Sequence, residues 1–367
     1  MGILRLMLAL AVLIGHSGGL HGLRMDDGIS AILPSGQVAV QSFYMISGFY
    51  MSLVLSSTYQ GPAGTWCFWL SRYLRLAPIY ILISIVTFLL QPEKLAVYQA
   101  TDLWIAISAV ISNVILFGQD MFVFFGLNQI SGDIRFMPMI MQGDLVNSGP
   151  GWVPGWNLLL IEQGWSIGVE MWFYLLAPFL LRRGIGVILV AMVLSFATRL
   201  ILTEVVGWKG DPWGYRFFPN ELFVFLAGSL AHRAYANGIL ILDRQVGRYL
   251  LCSLIIVLTL FHTMLPFGSA EKRWIYMFIL VVSLPTIFQI TKSIAWDRWI
   301  GELSYPIYLV HFVPLILMQS YVDRPMQGWV NLLISIGLAA LLVWSIDSRV
   351  DRWRHHLVSR IQSRYQR

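Results

Sequence analysis

The stretch LRLMLALAVLIGH, residues 4–16, decides the fold class. Apart from Arg5, Gly15 and His16 every residue in it is Ala, Val, Leu, Ile or Met, so a helix here has no polar face for water and belongs in lipid or a protein core. Arg5 and His16 are eleven residues apart. At 100° per residue that spacing returns both to within about 20° of one helix face, and it separates them by about 16 Å along the axis. With Arg5 at the cytoplasmic rim, His16 falls near the bilayer midplane. Ionisable groups on one stripe of an apolar helix are costly, and they mark a candidate functional site.

The same apolar pattern recurs along the chain, over 3–20, 38–57, 74–91, 103–118, 165–182, 185–203, 218–236, 248–266, 274–291, 302–320 and 328–346. Hydrophobic residues make up 57% of the 367, charged residues 12%, and mean hydropathy is +0.69, which excludes a water-soluble globule. Fifteen Trp and fifteen Tyr suit the aromatic belts of a membrane protein. The strict alternation of a membrane barrel is absent, so the spans are helices.

The basic residues set the topology. Between Arg349 and Arg367 lie six Arg and two His against Asp351 alone, the signature of a cytoplasmic tail. A nucleic-acid-binding tail is the competing reading, and attachment to a membrane bundle makes topology the simpler cause. Counting back from the tail and forward from Arg5 disagrees by one crossing between residues 76 and 165, so 103–118 or 150–165 is expected not to span. The expected fold is an all-α polytopic membrane protein of about ten transmembrane helices plus one re-entrant or interfacial segment, both termini cytoplasmic. Residues 1–348 form the membrane-embedded domain and 349–367 the basic tail. Residues 119–164, rich in Gly, Pro, Asn and Trp, are expected to fold over a site. A secretory signal at the N-terminus is disfavoured, because its basic end is thin and its cleavage pattern poor. Cys67 and Cys252 supply neither a disulfide framework nor a metal motif, and no metal site is expected.

Three further clusters carry polar chemistry. Arg72 and Arg75, in RYLR at the edge of the third segment, form a candidate clamp for phosphates; an ordinary positive-inside flank is the plainer reading. In WSIGVEMWFYLLAP (165–178), Ser166, Glu170 and Tyr174 fall four apart on one face. Glu170 reads equally as an ion-pair partner and as a catalytic carboxylate. In GELSYPIYLVH (301–311), Ser304, Tyr308 and His311 share a face beside Tyr305, and His311 is either a second base or a hydrogen-bonded packing residue. The Ser47-Gly48 pair of FYMISGF (43–49) suggests a close helix contact, while Asn220 and Glu221 cap a helix or line a polar entry.

Joined in this order, Arg-x10-His (Arg5, His16), FYMISGF, Arg-x-x-Arg (Arg72, Arg75), WSIGVEMWFYLLAP and GELSYPIYLVH resemble the acyltransferase-3 family of integral-membrane bacterial O-acyltransferases. The resemblance runs from Arg5 to about residue 346. It implies transfer of an acyl group, usually acetyl, from cytoplasmic acyl-CoA to a hydroxyl of a cell-envelope or exported polysaccharide or its lipid-linked precursor, in the bacterial inner membrane. It further implies that His16 is essential, as general base or transient acyl carrier, and that Arg5, Arg72 and Arg75 engage the donor. Acyl-CoA is a substrate on this reading, and no cofactor is permanently bound. The glycine-rich Ile14–Gly19 departs from the family pattern and implies that the first helix ends or bends soon after His16. Expected partners are the lipid bilayer, a saccharide acceptor and polysaccharide assembly machinery, with no nucleic acid. The rival readings are a transporter or flippase of a lipid-linked sugar, for which paired broken helices and related halves are not visible, and a non-catalytic membrane subunit of an assembly complex.

Overall fold

A computed structural model describes residues 1–18, 33–318 and 324–365. Gly19 and the C-terminal ends of the expected segments 3–20 and 302–320 lie outside the described residues. The chain is mostly helical and divides into two compact units, one built from 1–57 and 224–349, the other from 58–223 and 350–367.

In the first unit, the Gly2–His16 helix buries Ala9, Leu13 and Ile14 against Leu303, Ile307, Ala339 and Val343. Its start is held by Asp297, whose carboxylate accepts the amides of Gly2 at 2.7 Å and Ile3 at 3.0 Å as well as the terminal ammonium at 2.7 Å. Those orphan N–H groups sit at the positive end of the helix, where a carboxylate is most stabilising. The approach is backbone to backbone: a Cβ on Gly2 would lie 1.5 Å from the Asp297 carbonyl oxygen. The Gly36–Ser57 helix likewise meets the helix spanning Phe218–Ala236 through Gly48 and Gly228, where added Cβ atoms would lie 1.9 and 1.8 Å from the carbonyls of Phe225 and Met45. The close contact suggested by Ser47-Gly48 is therefore present.

The segment expected over 302–320 is broken. Helical residues Ala295–Val310 and Phe312–Met318 meet at a 44° bend at His311. Pro314 supplies the cause, since it has no N–H for the Val310 carbonyl and its ring crowds that oxygen.

In the second unit, the Gly64–Leu90, Gly164–Leu180 and Ile185–Leu200 helices carry the apolar mass. Val187, Val190, Val193 and Leu194 of the last are exposed, as lipid-facing residues are. Residues 119–164 are less irregular than expected. They contain a three-stranded antiparallel sheet, ordered β2-β1-β3, from Phe125–Asn128 (β1), Ile134–Phe136 (β2) and Trp152–Pro154 (β3). The all-α expectation is corrected to that extent; the glycines at 126 and 151 let chains approach where side chains would collide. Asn113 fixes this region, accepting from Tyr80 Oη (3.1 Å) and the Leu160 amide (3.0 Å) and donating to the carbonyls of Leu158 (3.0 Å) and Ala109 (2.8 Å). Asp120 is buried there, 2% exposed, and burial pushes its carboxyl up to about 7.

Among the described residues five helical stretches are long and apolar enough to cross a membrane: Gly36–Ser57, Gly64–Leu90, Ile185–Val205, Ser269–Thr291 and Gln327–Ser363. The bent pair at His311 makes a sixth if counted as one span. Three of the expected apolar segments are shorter helices among the described residues, Gly2–His16, Leu103–Ile115 and Gln245–Leu260. Leu103–Ile115, with 13 residues, rises only about 20 Å, and it ends where Leu116 and Gly118 take left-handed conformations.

Candidate active site

The first unit brings together two residues 295 positions apart: His16 Nδ1 lies 2.8 Å from His311 Nε2. Their rings are nearly parallel, 3° apart in tilt with centroids at 5.0 Å, and Phe312 packs on both, at 5.0 and 4.7 Å. Each histidine sits where a helix stops. His16 is the last residue of its helix, followed by Ser17 and by Gly18 at φ 67°, so the glycine-rich continuation does end it. His311 occupies the break before Pro314. His311 is fully buried, whereas His16 is exposed.

The hydrogen bonds order the tautomers. His311 Nδ1 meets the Ile307 carbonyl at 3.3 Å. A carbonyl only accepts, so that nitrogen carries the proton and Nε2 presents a lone pair. His16 Nδ1 must then donate to it, leaving the lone pair of neutral His16 on Nε2. The pair is thus an oriented base: a buried imidazole aims an exposed one. Ser17, next in the chain, donates to the Leu13 carbonyl (2.8 Å) and accepts from Asn331 (2.8 Å), fixing the end of the helix. Tyr308 lies 6.1 Å from His311 between ring centroids, Tyr305 is half-buried on the same helix, and Ser304 donates to the Gly301 carbonyl. Arg5, half-buried and about 16 Å down the helix from His16, places Nη1 3.7 Å from where a Gly301 Cβ would stand.

The second unit holds the other candidates. Arg72 and Arg75 stand one turn apart on the Gly64–Leu90 helix, within the helix rather than before it. The Arg72 guanidinium lies over the Phe68 ring at 5.8 Å, and its Nε is buried without an acceptor among the described residues. Tyr174, an electrostatic neighbour of Arg72, donates to Glu170 Oε1 at 2.6 Å. Ser166, buried, donates to the Gln163 carbonyl one turn back. Glu221, left open between a cap and a polar entry, instead pairs with Arg199 at 2.7 Å, and Asn220 donates to the Trp213 carbonyl.

Sequence reasoning missed Arg199, whose signal is a lone charge inside the apolar run 185–203. It also missed Arg216, which stacks on Trp165 at 4.4 Å and pairs with Asp211 at 2.6 Å, thereby holding the start of the WSIGVE helix. Among the described residues no group of three His, Cys, Asp or Glu side chains is placed to hold a metal.

A family model described as an acyltransferase domain matches residues 1–347. An uncharacterized protein of Aquifex aeolicus (strain VF5) is 25% identical over 213 residues, covering 54% of this chain and 90% of its own length. No solved structure matches significantly.

Proposed function

Because the chain belongs to the acyltransferase-3 family, a family of membrane acyltransferases, we propose that it moves an acyl group, by default acetyl, from acyl-CoA to a hydroxyl of an envelope or exported polysaccharide or its lipid-linked precursor. The observation that carries this reading is the His16–His311 pair, whose tautomers put the lone pair of neutral His16 on Nε2. That nitrogen takes the proton of the acceptor hydroxyl as the oxygen attacks the thioester carbonyl, and the thiolate of CoA leaves. The same lone pair also suits the alternative in which His16 is acylated first and then passes the group to the hydroxyl. His311 is the positioning residue, holding the productive tautomer as the acid of a catalytic triad does.

On this reading Arg5, Arg72 and Arg75 engage the donor's phosphates, for which guanidinium forks are suited, and Glu170 serves the site with Tyr174 and Ser166. Tyr305 and Tyr308 line the helix that carries His311. The finer assignment is a bacterial inner-membrane protein of about ten spans with cytoplasmic termini, supported by the basic segment after Arg349. The test is mass spectrometry of envelope glycans from cells with the native chain, without it, and with His16→Ala. Loss of one ester class in both altered strains supports the assignment and names donor group and acceptor. Unchanged ester content overturns it, and substrate movement across liposomes without acyl-CoA consumption turns it into a transporter.

A further inference from the structure

The helix Arg324–Leu342 turns two polar residues toward the end of the first helix. Asn331, Ser335, Ala339 and Val343 follow one another at four-residue intervals and so share a face. Ala339 and Val343 belong to the apolar cluster that buries Ala9, Leu13 and Ile14. Asn331 and Ser335 are both 0% exposed, and a carboxamide enclosed to that degree is stable only when its donors and its acceptor are paired.

The pairing runs in one direction. Ser335 Oγ donates to Asn331 Oδ1 at 3.0 Å, Asn331 Nδ2 donates to Ser17 Oγ at 2.8 Å, and Ser17 Oγ donates to the Leu13 carbonyl at 2.8 Å. A carbonyl only accepts, so the Ser17 proton is committed to Leu13 and the atom of Asn331 that faces Ser17 is its nitrogen. The Ser17 amide adds a second bond to the same carbonyl at 3.0 Å. On either side of His16, a Cβ on Gly15 or Gly18 would meet nothing within 4 Å among the described residues. Packing at those glycines therefore does not fix the helix end, and the bonds of Ser17 do. Misplacing a catalytic group by about 1 Å costs about a hundredfold in rate, so the anchor of the residue next to the base matters to the chemistry.

We propose that Asn331 is a positioning residue for His16: through Ser17 it holds the end of the first helix so that the His16 ring stays in register with His311. This rests on the reading of His16 as the base of acyl transfer and adds a side chain from a third helix, outside every motif of the sequence.

The experiment measures acetyl transfer from acetyl-CoA by the full chain in membrane vesicles carrying the endogenous acceptor, per molecule of inserted protein. Asn331→Ala is expected to lower kcat about ten- to a hundredfold with KM for acetyl-CoA unchanged. Ser17→Ala, which breaks the same bond from its other end, is expected to match it, Ser17→Thr to retain most of the activity, and the double variant Ser17→Ala with Asn331→Ala to fall no further than either alone. The second readout is the ¹⁵N spectrum of ring-labelled histidine, with the His16 signals identified by their loss in His16→Ala. The native chain is expected to show His16 protonated on Nδ1, and Asn331→Ala a mixture of both tautomers. An unaltered kcat in Asn331→Ala and Ser17→Ala, or losses that add in the double variant, would overturn the proposal, as would a His16 spectrum that Asn331→Ala leaves unchanged. A native chain that transfers no acyl group would overturn the acyl-CoA reading instead, and the histidine spectrum alone would then decide whether Asn331 positions His16.

Discussion

His311 Nε2 accepts a hydrogen bond from His16 Nδ1 across 2.8 Å, and the Ile307 carbonyl at 3.3 Å behind His311 fixes the direction of the chain. The two imidazoles therefore have different tasks. His16→Ala removes the base itself and should cost about 10²–10⁴ in transfer rate. His311→Gln, whose amide oxygen still accepts, should retain more activity than His311→Ala, measured as acyl incorporation per molecule of inserted protein. Equal activity in all three histidine variants and the native chain would remove the pair from the mechanism.

Arg72→Ala and Arg75→Ala should each raise KM for acyl-CoA about tenfold, about 1.4 kcal/mol of binding, with kcat little changed. Initial rates over a donor concentration series check this. A fall in kcat at constant KM would assign the pair to chemistry instead of donor binding.

Asp120 gives the second unit a pH dependence of definite sign. Its carboxyl ionises near 3.8 in a free chain and near 7 when buried in the fold. The unfolded state sheds the proton first, so Asp120's own contribution to stability is greatest below about pH 4, falls as pH rises toward about 7, and is level beyond. The difference amounts to about 4 kcal/mol at most. Apparent melting temperatures of the detergent-solubilised chain between pH 5 and 8 should show this decline, and Asp120→Asn should flatten it. A native chain that gains stability over the same interval contradicts the assignment.

The crossing at Gly48 and Gly228 leaves no room for a methyl group. Gly48→Ala or Gly228→Ala should cost at least about 3 kcal/mol and sharply lower the yield of monodisperse protein, because the obstructing atoms are backbone carbonyls. Gly186→Ala, where nothing lies within 4 Å, should instead stabilise its helix by about 0.5–1 kcal/mol. Size-exclusion profiles and thermal unfolding of the three variants decide the point.

Several features of the fold and site were legible from local pattern alone. Arg5 and His16 on one stripe, Ser166, Glu170 and Tyr174 on one face, and the end of the first helix at its glycines all follow from the helical period and from glycine's freedom. The three-stranded sheet in 119–164 was not legible, because its strands of three or four residues are too short to show alternation. Arg354 was hidden for a different reason. A run of arginines after a span reads as topology, and nothing in the run marks Arg354 as a side chain that turns inward.

What the amino-acid order determined by itself is a helical membrane protein with its chemistry-bearing residues in register on their own helices, since hydropathy and the 3.6-residue period act over one or two turns. Which helices meet was left to the tertiary structure. Glycine-mediated backbone contacts and the break before Pro314 set His311 against His16, 295 positions away in the chain. An imidazole's partner and tautomer depend on what packs beside it in space, and neighbours along the chain carry no record of that.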